Sequence, residues 1–461
     1  MTHPRLALVA MLAALACTSL AAAPAANDVE TRLNALAARL AELEAQNQAL
    51  RSEVQALRGT ATAQPGSWGT PLTERVQAVE ARVNQMQAPR PPVSVAGAAG
   101  PTVEGSVLGM AQHVGSGGGA DGASQSRANW RGDLTVALPL GWVRSLGNAR
   151  FDAFGHLRAG QGGGVALRPT YSATPNSIPF EAGAGSSETY AIVAQAWGQM
   201  TWPLDAKRFN DLPGSRVELT AGKMDVFGFF DQNAVAGDEG AQFLNNVFVH
   251  NPMLDSGGDI AADAYGLAPG ARLSYLHEGD DTGWALSLGA FASGAGADFN
   301  LGLGGPLVLA QAEWVQRQIN GEPRGTWRLY GWTNGRTTDL AGDPQRHSGW
   351  GISIDHKLGA AWNLFGRWGQ RTQGDGAFDR ALTLGFEHGG RTWGRPRDGV
   401  GLAGGWLHGD AGTEQTLELY YRFYLNEYLT LTPDVQWVRR AAGEASAGSF
   451  GVFGLRAAVG F

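Results

Sequence analysis

Beyond Thr102 the chain alternates hydrophobic and polar residues in short runs, the two-residue period of a strand whose faces meet different media. The clearest run is Gln415 to Asn426, with Leu417, Leu419, Tyr421, Phe423 and Leu425 on one face and Glu418, Tyr420, Arg422 and Tyr424 on the other. Similar runs begin near Thr102, Trp130, Asn148, Thr189, Ser215, Pro269, Gly283, Leu307, Arg324, His347, Ala361, Asp379, Gly399, Gln415, Leu429 and Ser449. They predict an all-β chain, a transmembrane antiparallel β-barrel of about sixteen strands with lipid outside and water inside. Connection lengths agree with an amino end in the periplasm. The long stretches 160–188, 223–268, 293–306 and 335–346 follow odd strands, and the short 280–282, 359–360 and 427–428 follow even ones. One even connection, Gly389 to Asp398, is longer than that rule expects. The last run ends on Phe461, and Trp202, Trp284, Trp327, Trp350 and Trp362 fall near strand ends, where interfacial girdles sit.

Before Thr102 the period is different. Leu33, Leu36, Leu40, Leu43, Asn47, Leu50, Val54 and Leu57 recur in steps of three and four, a heptad seam with Asn47 at an a position, where it would fix register. This predicts an N-terminal α-helical coiled coil over 27–58. A linker follows over 59–101 with a second short helix at 72–88, and the barrel occupies 102–461. Residues 1–23 read as a signal peptide: Arg5, an apolar run from Leu6 to Ala16, then small residues to Ala23. Cys17 leaves a lipoprotein signal as the alternative.

Composition narrows the class. Charged residues make up 17% and the net charge is -7, against about 25% charged in a soluble domain, and no basic face points to nucleic acid. With one cysteine, at Cys17, disulfide, cysteine-zinc and thiol chemistry are set aside. Positive charge is almost all arginine, lysine occurring only at Lys207, Lys223 and Lys357. The glycine clusters at 115–119 and 160–164 have no following Lys-Ser/Thr and so are not phosphate loops. The histidines have no metal-ligand spacing. No enzyme, cofactor or metal signature emerges.

Candidate chemistry concentrates in the loop after the fifth strand, which mixes carboxylates, carboxamides and phenylalanines. Asp225, Asp231, Asn233, Asp238 and Glu239 are its candidate pore residues, and Phe230, Phe243 and Phe248 its candidate anchors to the wall. Strand parity adds an inward set: Arg216, Glu218, Arg272, Arg328, Tyr330, Trp332, Asn363, Arg367, Arg371, Glu418, Tyr420, Arg422, Asp434, Gln436 and Arg456. Rings of charged side chains set ion preference and orient solutes. For any single member, a transverse ion pair stiffening the wall is the plainer role.

Several of these motifs carry a resemblance. They are Gly222-Lys223-Met224-Asp225, Phe230-Asp231-Gln232-Asn233, the run Asp238 to Asn245, Asn251-Pro252-Met253-Leu254-Asp255, and the blocks Glu418 to Leu425 and Leu429 to Gln436. From about Thr102 to Phe461 the chain resembles the OprB-like carbohydrate-selective porins of Gram-negative outer membranes. The resemblance implies facilitated diffusion of small sugars. The heptad segment departs from the simplest members, and His250 stands where an asparagine is usual. The combined expectation is an outer-membrane porin for small hydrophilic solutes, carbohydrates favoured, with its pore narrowed by the inward-folded third external loop. A homotrimer formed through barrel and coil is expected. The alternatives are a structural tether from outer membrane to peptidoglycan acting through the coiled coil, or a porin for anionic solutes.

Overall fold

The computed structural model describes residues 100–460 apart from 172–173, 179–188, 210–211, 255–266, 294–304, 318–322 and 339–342. The expected signal peptide, coiled coil and short helix lie outside the described residues.

Sixteen strands close into one antiparallel barrel. They are β1 (Thr102–Val114), β2 (Gln125–Val143), β3 (Ala149–Gln161), β4 (Thr189–Pro203), β5 (Ser215–Asp225), β6 (Leu267–Glu278), β7 (Thr282–Phe291) and β8 (Leu307–Arg317). The second half comprises β9 (Pro323–Thr338), β10 (Pro344–Leu358), β11 (Trp362–Gln373), β12 (Arg380–Gly389), β13 (Gly399–Gly409), β14 (Gly412–Tyr424), β15 (Leu429–Arg439) and β16 (Ser449–Gly460). Every strand pairs with its sequence neighbours, and β1 closes the ring on β16 from Ser106↔Gly460 to Val114↔Val452. Closure leaves no unpaired edge, which is what a sheet needs in hydrocarbon, where bare N–H and C=O groups have no solvent partner.

Each observed strand starts within five residues of the sequence expectation. The largest difference is β2, which begins at Gln125 rather than near Trp130 because its polar first turn pairs with the end of β1 (Val114↔Gln125). Polarity hides a strand from pattern reading, but the ladder still forms where it rises above the apolar band.

Alternation maps onto the two faces. On β14, Leu417 and Leu419 are more than 40% exposed to the outside while Glu418 and Tyr420 are buried inside. Exposed tryptophans form two belts on the outer wall. Trp142, Trp284, Trp314, Trp362 and Trp393 lie toward the even-strand turns, and Trp130, Trp406 and Trp437 toward the odd-strand loops. Two such girdles flanking an apolar band are the mark of a membrane-spanning barrel.

The main hydrophobic cluster is inside the barrel rather than between layers. Loop 3, the connection from β5 to β6, supplies Phe230, Phe243, Val247, Phe248, Met253 and Leu254, and the wall supplies Phe291, Leu309, Phe365, Ala403 and Tyr420. Loop 3 carries a one-turn helix, α1 (Asn246–Val249), whose N-cap Asn245 accepts from Val247 N at 3.2 Å. The wall makes room for it with glycine: a Cβ on Gly369 would lie 2.4 Å from Asn251 Oδ1, and one on Gly351 2.7 Å from Asn251 Nδ2.

Candidate functional site

Loop 3 is fixed to the inner wall by inward charges on strands far apart in sequence. Asp231 is at the centre of one anchor. Its carboxylate accepts from Tyr330 OH on β9 (2.7 Å), from Arg367 Nε on β11 (3.1 Å) and from Asn251 N (2.6 Å). Arg367 also donates to Phe248 O at 2.6 Å and Asp231 O at 3.2 Å. Asn233 donates to Ser353 Oγ and Ile354 O on β10 while its own carbonyl oxygen accepts from Val235 N and Ala236 N.

A second anchor lies on β14 to β16. Glu418 accepts from Leu244 N (2.6 Å) and Asn245 N (2.9 Å). Asn245 Nδ2 donates to Gln436 Oε1 at 2.9 Å, and Gln436 Nε2 donates to Asp434 Oδ1 and to Pro175 O of the β3–β4 loop. Arg422 donates to Ala241 O, and Arg456 to Glu239 O and Gln242 O. The phenylalanines complete the docking. Phe243 packs on Tyr420 (5.0 Å), Phe365 (5.5 Å) and Phe248 (5.6 Å), and Phe230 meets Phe291 edge-on at 6.0 Å. Phe230, Phe243 and Phe248 are fully buried, each worth about 1.5–3 kcal/mol relative to exposure.

Candidate residues therefore separate into two groups. Asp231, Asn233, Glu418, Asp434 and Gln436 are buried against loop backbone or one another. The partly open polar and aromatic residues here include Asp225 at the end of β5 and, in loop 3, Phe227, Phe229, Gln232, Asp238, Glu239 and Gln242. Facing it are Arg158, which contributes to the electrostatics of both Asp225 and Glu239, and Arg272, whose guanidinium carbon lies 5.6 Å from the Phe229 ring centre. Trp197 meets Phe229 edge-on at 5.5 Å and stacks on Phe154 at 4.9 Å. His250 stacks on Phe227 with centroids 3.7 Å apart.

The inward arginines on this side are paired. Arg216 holds Glu218 at 2.8 Å, Arg272 lies 3.6 Å from Glu218, and Arg328 bridges Glu313 (2.6 Å) and Asp355 (2.8 Å). Asp133 receives Arg131, His156 and Arg158 at 2.7–2.8 Å, and Arg131 reaches Glu239 at 2.7 Å. Arg131, Asp133 and Arg158 lie outside the inward residues named from the sequence, although the period-two phase of β2 and β3 places them inward. In loop 3, burial pushes the Asp238 carboxyl above the ordinary range and neighbouring Glu239 adds to it. Burial also pushes Glu239 up, but Arg131 and Arg158 outweigh it and hold that carboxyl below its usual value.

Residues 158–461 match the family model "Carbohydrate-selective porin, OprB family". The chain belongs to that family. One solved structure supports the fold, and two more are similar at lower scores. A high-pH structure of Pseudomonas putida OprB superposes with a TM-score of 0.59 at 18% identity, covering 78% of this chain and 94% of that one. The low-pH structure of the same protein gives 0.46 at 15% identity, covering 87% and 100%. The outer membrane channel DcaP of Acinetobacter baumannii gives 0.48 at 14% identity, covering 79% and 98%. No curated protein sequence matches significantly. As an OprB-family porin the protein is a carbohydrate-selective channel of the Gram-negative outer membrane.

Proposed function

We propose that this porin passes small neutral carbohydrates down their gradient along the open side of loop 3, between its half-exposed strip and the paired arginines of β2, β3 and β6. The observation that carries the reading is the arrangement of that strip. Phe227 and Phe229 offer ring faces to the C–H faces of a sugar. Asp225, Gln232, Glu239, Arg158 and Arg272 offer acceptors and donors to its hydroxyls. Loop 3 narrows the path because anchors on β9 to β11 and β14 to β16 hold it across the interior.

The arginine excess alone would favour anionic solutes. The pairing favours neutral ones, because Arg131, Arg158, Arg216, Arg272 and Arg328 each sit beside a carboxylate and offer little uncompensated field. Liposome swelling with a size-graded sugar panel, read beside reversal potentials in planar bilayers, tests this. The expected result is permeation falling steeply from monosaccharide to trisaccharide with weak ion preference. Size-independent sugar permeation, or strong anion preference with no sugar flux, would sink it. Repeating the assay on a chain lacking 27–86 addresses the heptad segment: unchanged flux with a weakened envelope supports a tether to peptidoglycan, and lost conductance supports a role in assembling a homotrimer.

A further inference from the structure

The connection from β12 to β13 is the even-strand turn that is too long for its place, and it is folded rather than loose. A 3-10 turn over Gly390–Trp393 ends at Gly394, whose φ of +78° suits glycine. Gly390 N donates to Asp398 O (2.8 Å), Arg395 N to Gly390 O (2.9 Å) and Asp398 N to Arg395 O (3.0 Å). The Asp398 carboxylate, 1% exposed, accepts from Tyr421 OH (2.8 Å), Tyr424 N (3.0 Å) and the Arg395 guanidinium.

This turn lies along the outer wall. Trp393 Nε1 donates to Tyr421 OH at 3.0 Å, and Arg395 sits 4.1 Å above the ring centre of Phe423. Tyr421 and Phe423 belong to the lipid-facing side of β14, in phase with exposed Leu417 and Leu419. The aromatic row continues from Trp393 to His388 (5.6 Å) and on to Trp362 (4.2 Å), both tryptophans about 40% exposed. Arg391 and Arg395 are therefore carried at the level of the girdle nearest the even-strand turns, with Asp398 buried beneath. Charge sets this place apart. By sequence, 390–398 holds three arginines and one aspartate, whereas no other even-strand connection exceeds one net positive charge and 279–281, 318–322 and 425–428 are net negative.

We propose that this turn is a binding site for an anionic phospholipid of the periplasmic leaflet. The phosphate is held by Arg391 and the exposed edge of Arg395, and the glycerol ester region rests on Trp393 and Trp362. Charge complementarity and position on the lipid-facing wall select a membrane lipid over a soluble partner, since basic clusters at a membrane surface gather anionic headgroups and indole rings settle at the ester level.

Native mass spectrometry of the full-length purified porin, titrated with phosphatidylglycerol or phosphatidylcholine, tests it. The first phosphatidylglycerol is expected to bind about 5-fold or more tightly than phosphatidylcholine, Arg391→Gln to remove most of that preference, and Arg391→Lys to keep it. Heat-modifiable migration on gels confirms that each variant is a folded barrel, and Trp393→Phe, which retains a ring, gives a second variant expected to weaken binding of both lipids. Three results would overturn the proposal: equal affinity for the two lipids, a preference unaffected by Arg391→Gln, or displacement of bound phosphatidylglycerol by excess glycerol phosphate. So would a dimer lost on Arg391→Gln at unchanged lipid count, which would assign the face to a second copy. Sugar permeation is not part of the readout, so the outcome is independent of the solute proposed above.

Discussion

Arg367 spends its guanidinium on loop 3, donating to the Asp231 side chain, Asp231 O and Phe248 O from a position only 2% exposed. Replacing it with methionine keeps the volume but leaves the Asp231 carboxylate buried without its cation, a loss of about 3–5 kcal/mol for a broken buried pair. Arg367→Met is expected to loosen loop 3 while the barrel still closes, read as higher single-channel conductance and faster amide exchange over 231–254. Asp398 provides a pH-dependent counterpart in the β12–β13 turn. Burial raises its carboxyl, but hydrogen bonds from Arg395, Tyr424 N and Tyr421 outweigh that and hold it below the ordinary aspartate value. A depressed folded value means the stabilising contribution is complete above the unfolded pKa of about 3.9 and is lost as pH falls through the folded one. The turn is expected to stay closed at neutral and mildly acid pH and to open only in strong acid, followed by Trp393 fluorescence against a Trp393→Phe control. In Asp398→Asn the acid step should vanish.

At the scale of elements, strand pairing and loop docking draw on different information. Strands announce themselves locally, because lipid on one side and a polar interior on the other force a period of two, so all sixteen starts were legible within five residues. Loop 3 shows its motifs and aromatic residues in the sequence, but not which of its polar groups meet the wall. Glu418 and Arg272 share the same inward phase, yet Glu418 is buried under Leu244 and Asn245 while Arg272 stands beside half-exposed Phe229. Within the loop, neighbouring Asp231 and Gln232 divide the same way, one buried and one exposed. That division depends on contacts across 99 to 217 residues of chain, which no local pattern encodes. Interior glycines such as Gly351 and Gly369 are the other part of the docking surface, and a two-residue alternation does not mark them, since glycine counts neither as polar nor as apolar. Gly369→Leu would thrust a side chain into Asn251 and Met253, where even a Cβ meets Met253 Cβ at 2.6 Å. The expected outcome is a displaced loop and increased trisaccharide swelling rates with the barrel still heat-modifiable; unchanged permeation would show that the loop's far end does not bound the path.

For the whole molecule, the sequence by itself determined an antiparallel barrel of about sixteen strands, the alternation that turns one face of a strand such as β14 to lipid, and a family resemblance carried by motifs in loop 3 and in β14 and β15. These are properties of short segments, each constrained by the medium on either side, so a window of ten residues holds enough information. Tertiary structure decided which inward charges grip loop 3 and which pair with one another along the wall, that the hydrophobic core lies within the barrel, and that one basic turn folds outward onto the lipid-facing wall. The reason is physical. Burial of a charge is tolerable only where partners from distant strands supply hydrogen bonds, and those partners become neighbours only when the sheet closes on itself.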